Sequence, residues 1–145
     1  MSSPVSPQEM FDELCFYTLA HPSPEFIHQN AVDAFAAQLA DESTKNIKIV
    51  FALVGLYLTL ERGYTGRQVQ RVHMQLAARR KDWPRPELPL ARGEITVADV
   101  LKADAGEERD RVIQEWCAAV WEPYEGSRAL VRDLLKQEPC PSAAV

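Results

Sequence analysis

Apolar residues recur at spacings of three and four along most of the chain, the spacing that one face of an α-helix produces. No segment alternates between apolar and polar residues with the period of two that a half-buried strand requires. The pattern therefore predicts an all-α protein. The predicted helices run from about Pro7 to Leu19, Pro24 to Leu39, Lys45 to Glu61, Thr65 to Arg80, Val97 to Lys102, Asp104 to Pro123 and Ser127 to Gln137.

Capping residues mark most of these boundaries. Ser6 followed by Pro7 and Glu9 has the composition of a capping box, and Thr65 with Gln68 repeats it. Gly63 stands where a left-handed residue closes a helix at low cost. Ser23 is expected to cap the second helix, and Asp104 the helix that runs to Pro123.

The economical architecture for these elements is a single-domain bundle of about four main helices, with one or two short additional helices. A loop with three prolines, from Asp82 to Pro89, cannot form regular structure and is expected to be ordered or semi-ordered. The loop continues to about Glu94, a length often found in lids and partner surfaces. Residues 1–137 are predicted to form the domain and residues 138–145 a flexible tail.

Composition favours a cytoplasmic location. The three cysteines form no C-x-x-C pair, and the first nine residues have neither the basic nor the apolar segment of a signal peptide. The longest apolar run, from Ile49 to Leu60, is too short to cross a bilayer, which needs about 20 residues. We therefore expect no membrane association, while the oligomeric state is left open, a homodimer included.

The net charge of −5 argues against nucleic-acid binding, because the chain offers no general field that would attract phosphate. One segment reverses this sign: six basic residues and no acid lie between Arg62 and Lys81. A solvated helix face is one interpretation. The alternative is an anion site in which backbone N–H groups at Thr65 and Gly66 bind a phosphate or carboxylate together with Arg62 or Arg67.

Three ionisable side chains fall on apolar faces of three different predicted helices: His28, Glu61 and His73. At 100° per residue, His28 lies near the middle of the buried stripe of its helix, and apolar residues bracket the other two in a similar way. Buried groups of this kind are retained only with partners or with a changed protonation state. Two imidazoles and a carboxylate could satisfy one another, and they are also a ligand set for zinc or iron.

Three interpretations follow for these residues. His28 and Glu61 form a buried hydrogen-bonded pair with His73 at its rim, or the residues form a metal or catalytic site, or they occupy unrelated positions. In the metal interpretation His28, Glu61 and His73 are the ligands of a divalent ion, and Glu61 and His73 are the catalytic candidates. No two of them share a predicted helix. The sequence therefore lacks the H-x-x-x-H or E-x-x-H spacing that would strengthen the prediction of a metal site.

Several segments together resemble a bacterial family catalogued only as a domain of unknown function. They are the run from His28 to Gln38, Leu60 to Gly63, His73, Trp83 with Pro84, Gly93 to Val100, and Trp116 to Trp121. The resemblance covers about residues 11–135 and brings no established activity. It implies that the recurring polar positions of the family correspond here to His28, Gln29, Asp33, Gln38, Glu61, Arg62 and His73.

Asp33 lies about 140° from His28 on its helix, so it faces away from the same core unless another element packs there. We expect it to make a structural hydrogen bond to the long loop or to Arg62.

Two functions of different classes remain. The first is a small helical-bundle protein whose polar core pocket binds a metal ion or a small-molecule or anionic ligand, with hydrolase-like chemistry at Glu61 and His73. The second is a non-enzymatic interaction module in which the polar trio is structural and the proline-rich loop or the basic helix binds a partner protein. The second predicts an exposed apolar patch beside Trp83.

Overall fold

The computed structural model describes residues 5–21 and 25–137. Within these ranges the chain is all-helical and contains no strand, which confirms the predicted fold class. Seven α-helices and one 3-10 helix follow one another: α1 (Pro7–Ala20), α2 (Ile27–Leu39), α3 (Asn46–Arg62), α4 (Gly66–Arg79), α5 (Val97–Lys102), α6 (Glu107–Trp121), the 3-10 helix (Glu122–Ser127) and α7 (Arg128–Gln137).

The helix ends mostly follow the predicted caps. The Ser6 hydroxyl accepts from the Glu9 N–H at 3.1 Å, and Gly63 closes α3 with a φ of 69°. Thr65 and Gln68 form the reciprocal capping box at the start of α4. These local hydrogen bonds satisfy backbone donors that no helical partner can reach, which is why the sequence alone could locate these ends.

Two predicted helix starts are wrong. α2 begins at Ile27, because Phe26 adopts a left-handed conformation with a φ of 53° just before it. The predicted cap, Ser23, lies outside the described residues, as does the predicted tail 138–145. α6 begins at Glu107 without a cap from Asp104. Gly106 precedes it with a φ of 110°, and its N–H donates to the hydroxyl of Tyr17 on α1 at 2.8 Å.

α2 lies at the centre of the helices and packs against α1, α3, α4 and α6. Its buried face toward the core is built largely from small side chains, because Ala31, Ala34 and Ala37 are fully buried. Small residues let neighbouring helices approach closely. The larger core side chains come from α3 and α6, with Trp116 fully buried among them.

The proline-rich loop between α4 and α5 is held by side chains that bind main-chain carbonyls. The Gln38 amide nitrogen donates to the carbonyls of Arg92 and Ile95 at 3.2 and 2.7 Å, and its oxygen accepts from the Trp116 indole N–H at 3.0 Å. Arg92 in turn donates to the carbonyls of Gln38, Ala40 and Pro89. Polar groups that would otherwise be buried without partners are thereby satisfied.

A second set of contacts holds the beginning of the loop. Arg85 donates to the carbonyls of Asp41, Glu42 and Thr44, and the Asn46 amide donates to the Trp83 carbonyl at 3.1 Å. The loop is therefore tied at both ends to the connection between α2 and α3. Among the described helices, none is long and apolar enough to cross a membrane.

Replacing Gln38 with alanine tests the loop attachment. The change leaves the Trp116 indole N–H and two loop carbonyls without their partner, so we expect the free energy of unfolding to fall by about 2–4 kcal/mol. Urea denaturation measures this loss. Gln114→Ala, at an exposed position of α6, is the matched control and should change stability by less than about 0.5 kcal/mol. A Gln38→Ala variant as stable as the control would contradict the assigned role.

Candidate functional site

The hydrogen-bond partner of His28 lies on α1. Its Nδ1 lies 2.9 Å from the hydroxyl of Thr18, and its ring packs against that of Phe26 with centroids 5.6 Å apart. Desolvation lowers the pKa of His28 below its ordinary value. The imidazole therefore joins α1 to α2 as a neutral, hydrogen-bonded group.

His73 joins α4 to α3. Its Nε2 lies 2.8 Å from the Phe51 carbonyl, and its ring stacks on the Phe51 ring with centroids 4.5 Å apart. Desolvation lowers the pKa of His73 to about 4, although the hydrogen bond to the Phe51 carbonyl opposes that shift. A neutral ring that donates from Nε2 fits these observations.

Glu61 lies at the end of α3 and contacts the C-terminal helices. One oxygen, Oε2, accepts from the Trp121 indole N–H at 2.7 Å and from the Arg128 Nε–H at 2.8 Å. The side chain is 24% exposed, so the pair with Arg128 is partly shielded from solvent. Glu61 thus links α3 to α6 and α7.

The structure does not bring the three predicted residues together. His28, Glu61 and His73 bind different partners, and none of the recorded hydrogen bonds joins two of them. Across residues 5–21 and 25–137, no group of three or more His, Cys, Asp or Glu side chains is placed to hold a metal ion. The predicted metal site and the His28–Glu61 pair are therefore not formed. The catalytic roles of Glu61 and His73 stay predictions.

Asp33 is a buried polar residue of the core. The residue is 3% exposed, and Oδ1 accepts from the Gln29 amide, one helical turn earlier, at 3.0 Å. The other oxygen, Oδ2, has no hydrogen-bond partner within the described part of the chain. The carboxyl lies against Gly55 of α3, where an added Cβ would overlap it. The expected bond to the loop or to Arg62 is therefore wrong: the side chain reaches neither, since α3 packs over it.

Burial shifts the pKa values of Asp33 and of the neighbouring Cys117. Desolvation raises the pKa of Asp33 well above its ordinary value, and the hydrogen bond from Gln29 offsets only part of the shift. Desolvation, with the nearby Asp33 as a second cause, also raises the pKa of the Cys117 thiol. The thiol lies 3.4 Å from the Asn30 carbonyl. A neutral acid beside a neutral thiol is a packing arrangement and offers no nucleophile.

A charged cluster forms where α3 ends beside α6 and α7. The Tyr57 side chain, only 4% exposed, faces the guanidinium groups of Arg62 and Arg132. Burial by itself would raise the pKa of Tyr57, but hydrogen bonds from Arg132 and Arg62 and their positive charges outweigh it and lower the pKa. Tyr57 also packs edge-on to Trp121, with centroids 6.2 Å apart. We call Tyr57, Glu61, Arg62, Arg128 and Arg132 the arginine–tyrosine cluster.

The sequence identified Glu61 and Arg62 of this cluster but missed Tyr57, Arg128 and Arg132. Tyr57 lies in the apolar arc of α3, a position that by itself indicates core packing. A usable signal was present: a buried phenol needs a hydrogen-bond partner, and hydrocarbon neighbours on its own helix supply none. The partner comes from α7, 75 positions later in the chain, and no spacing rule connects the two.

The start of α4 does not provide the anion site in its predicted form. The Gly66 N–H donates to the Glu25 carbonyl at 2.5 Å, and a Cβ on Gly66 would overlap the Phe26 carbonyl. Arg67 lies over the Phe26 ring, 3.9 Å from its centroid, whereas Arg62 faces Tyr57. Gly66 therefore serves close contact between two segments of backbone. Ligand binding by Arg62 and Arg67 stays a prediction.

An open groove of about 620 Å³ lies between the proline-rich loop and α7. Its walls combine apolar side chains with charged ones at the rim: Arg80, Asp82, Trp83, Pro84, Leu130, Asp133 and Leu134. The groove lies beside Trp83, where the interaction-module hypothesis places an apolar patch. Binding of a partner there stays a prediction.

The model of a family of unknown function, DUF5946, matches residues 6–125, which is most of the chain. The chain belongs to DUF5946. No curated protein and no solved structure matches it. The resemblance noted from the sequence is thereby confirmed, and DUF5946 membership brings no activity with it. What this DUF5946 chain does has to be argued from its own side chains.

Replacing Asp33 with asparagine tests the buried neutral acid. Above about pH 4 the unfolded chain releases the proton of Asp33, while the folded chain retains it. Rising pH therefore favours unfolding of the wild type through this group, and asparagine has no such proton to release. We expect the stability of Asp33→Asn relative to wild type to increase between about pH 4 and about pH 8. Urea denaturation at both pH values measures it.

Asp133→Asn, which removes an exposed carboxylate from α7, is the matched control for Asp33→Asn. A stability difference between Asp33→Asn and wild type that does not change with pH would contradict a proton retained on Asp33.

His73→Gln tests the opposite linkage. The unfolded chain protonates this histidine below pH 6.5, whereas the folded chain keeps it neutral down to about pH 4. The wild type therefore loses stability as the pH falls through this window, by about 2–3 kcal/mol, and glutamine retains an N–H donor for the Phe51 carbonyl without titrating. Denaturation at about pH 7.5 and about pH 4.5 should show the variant gaining on wild type at the lower pH. An equal difference at both values would refute this role.

Proposed function

We propose that this protein binds a small anionic ligand, a phosphate ester or a carboxylate, at the arginine–tyrosine cluster. The observation that carries the proposal is that Arg62 and Arg132 both lie near enough to the buried Tyr57 hydroxyl to lower its pKa. Guanidinium groups repel each other, and they are brought together where an acceptor holds them. A phenol oxygen is a modest acceptor compared with a phosphate or a carboxylate, which matches the guanidinium fork with two parallel hydrogen bonds.

The surrounding charges support binding of an anion. Three arginines take part in the cluster, and Glu61 and Glu125 are the acids bonded to Arg128, at 2.8 and 3.5 Å. Glu61 is held by Trp121 as well, so its carboxylate is already engaged and fixes the position of Arg128. Arg62 and Arg132 add two further positive charges beside Tyr57. An anion entering from the exposed side at Arg132 would add the acceptor that these two groups favour.

Each residue has a distinct role in this proposal. Arg62 and Arg132 bind the anion, Tyr57 turns its hydroxyl to donate to it, and Glu61 is a positioning residue that holds Arg128 against Trp121. Arg62 keeps the ligand-binding role that the sequence suggested, whereas the anion no longer involves Gly66 or Arg67. Binding rests on charge and hydrogen bonds, so it should weaken as salt is added.

Calorimetric titration with pyrophosphate at low ionic strength tests the proposal. We expect saturable binding by the wild-type protein and at least a tenfold loss for Arg132→Gln, which corresponds to about 1.4 kcal/mol, within the range of one charge-assisted hydrogen bond. Tyr57→Phe removes only the hydroxyl and should weaken binding by a smaller factor. Repeating the titration with citrate separates a preference for phosphate from a general preference for anions.

Arg111→Gln is the matched control, since Arg111 is an exposed arginine paired only with Glu115 on the surface of α6 among the contacts of the described chain. It should bind pyrophosphate as the wild type does. Equal binding by Arg132→Gln and Arg111→Gln would place the anion elsewhere. Lack of binding to pyrophosphate and to citrate by the wild-type protein would reject the proposed function.

A further inference from the structure

One outward face of α1 combines acidic and large apolar side chains. Glu9, Asp12, Glu13, Phe16 and Leu19 lie within an arc of about 120° on this helix, opposite the buried Leu14 and Thr18. Phe16 is 78% exposed and Leu19 is 55% exposed. Single exposed apolar residues are ordinary, but two neighbours one turn apart at the end of an acidic stripe form a surface that nothing in the described chain covers.

The outward face of α4 has the complementary composition. Arg67, Arg71, Met74 and Ala78 lie within an arc of about 60°, opposite the buried Val69 and Leu76. Met74 is 72% exposed. α1 contains no basic residue and α4 contains no acidic residue.

The two faces also share one spacing. Glu9, Glu13, Phe16 and Ala20 follow one another at intervals of four, three and four residues, and Arg67, Arg71, Met74 and Ala78 repeat these intervals. Two helices laid side by side in parallel with this register would place acid against base at two positions and apolar against apolar at the next two. This is the seam that two α-helices in side-by-side contact require.

We infer that two copies of this chain associate, with α1 of each copy packed in parallel against α4 of the other. Each copy carries both halves of the contact, and a twofold arrangement uses the contact twice and closes. Both helices pack against α2, so both faces belong to the surface around one central helix. Charge complementarity and the shared spacing select a second copy as the occupant.

The contacts that Arg67, Glu9 and Asp12 make within the chain are compatible with this arrangement. The Arg67 guanidinium lies over the Phe26 ring, 3.9 Å from its centroid, and a guanidinium in such a contact can still donate from its edge N–H groups to a carboxylate. Glu9 accepts from Ser6 and Asp12 from Gln8, and both carboxylates stay exposed. Exposed ion pairs add little affinity, so Phe16, Leu19 and Met74 supply the buried apolar surface, while the charges fix register and direction.

Charge reversal provides the test. Glu9→Lys with Glu13→Lys makes the α1 face basic, and Arg67→Glu with Arg71→Glu makes the α4 face acidic. We expect the wild-type full chain to form dimers at about 50 mM salt in sedimentation velocity experiments and each double variant to be monomeric. An equimolar mixture of the two variants should dimerise again, because both contacts of the mixed dimer then pair opposite charges.

Two further variants distinguish a specific role of the α1 face from general effects of charge or folding. Phe16→Ser leaves all charges in place and should weaken dimerisation at least tenfold, which also covers the case in which lysines at the start of α1 disturb folding. Arg111→Glu reverses an exposed charge on α6 and should leave the dimer unchanged. A wild-type protein that is monomeric at about 100 μM and low salt would overturn the inference, as would a variant mixture that stays monomeric while the wild type dimerises.

Discussion

The close contact between α2 and α3 determines where most other groups lie. It is made possible by three fully buried alanines on α2 and by Gly55 on α3, where an added Cβ would overlap the Asp33 carboxyl. A carboxyl in that position has one hydrogen bond, from Gln29, and stays protonated because burial penalises its charge. The remaining helices then pack around α2 and α3, with α6 on one side and α4 on another.

The polar residues of α2 are used mainly inside the fold. Gln29 binds Asp33, the Asn30 amide donates to the Thr59 hydroxyl at 3.0 Å, and Gln38 joins the long loop to Trp116. The polar residues between His28 and Gln38, which belong to the family motif, can therefore reflect internal hydrogen bonds as well as chemistry. In this chain the exposed charges at the end of α3 and on α7 are better placed to meet a ligand than the α2 residues are.

The sequence was sufficient for what depends on neighbouring residues and insufficient for what depends on distant ones. Prolines, capping boxes and Gly63 marked helix ends because their effects act within a few residues. The inward direction of His73 followed from helical geometry, and its ring packs between α4 and α3. For His28 the prediction was wrong: the fully buried positions of α2, such as Ala34 and Ala37, lie on the opposite side of the helix, and His28 is only half-buried against α1. The partners of the two histidines, Thr18 and the Phe51 carbonyl, depend on how helices are arranged in space. A helical wheel gives the direction of a side chain but not the element that it meets.

The loop between α4 and α5 is attached through side chains that bind main-chain carbonyls. Gln38, Arg85 and Arg92 bind carbonyl oxygens of the main chain, and those oxygens are the same whatever side chains the neighbouring residues carry. Leu90, at the outer side of the loop, is fully exposed and takes no part in the attachment. Relatives could thus replace much of the outward-facing sequence of this segment while retaining its course. The segment has the properties of a display scaffold, on which new recognition sequences can evolve or be grafted without rebuilding the helices beneath.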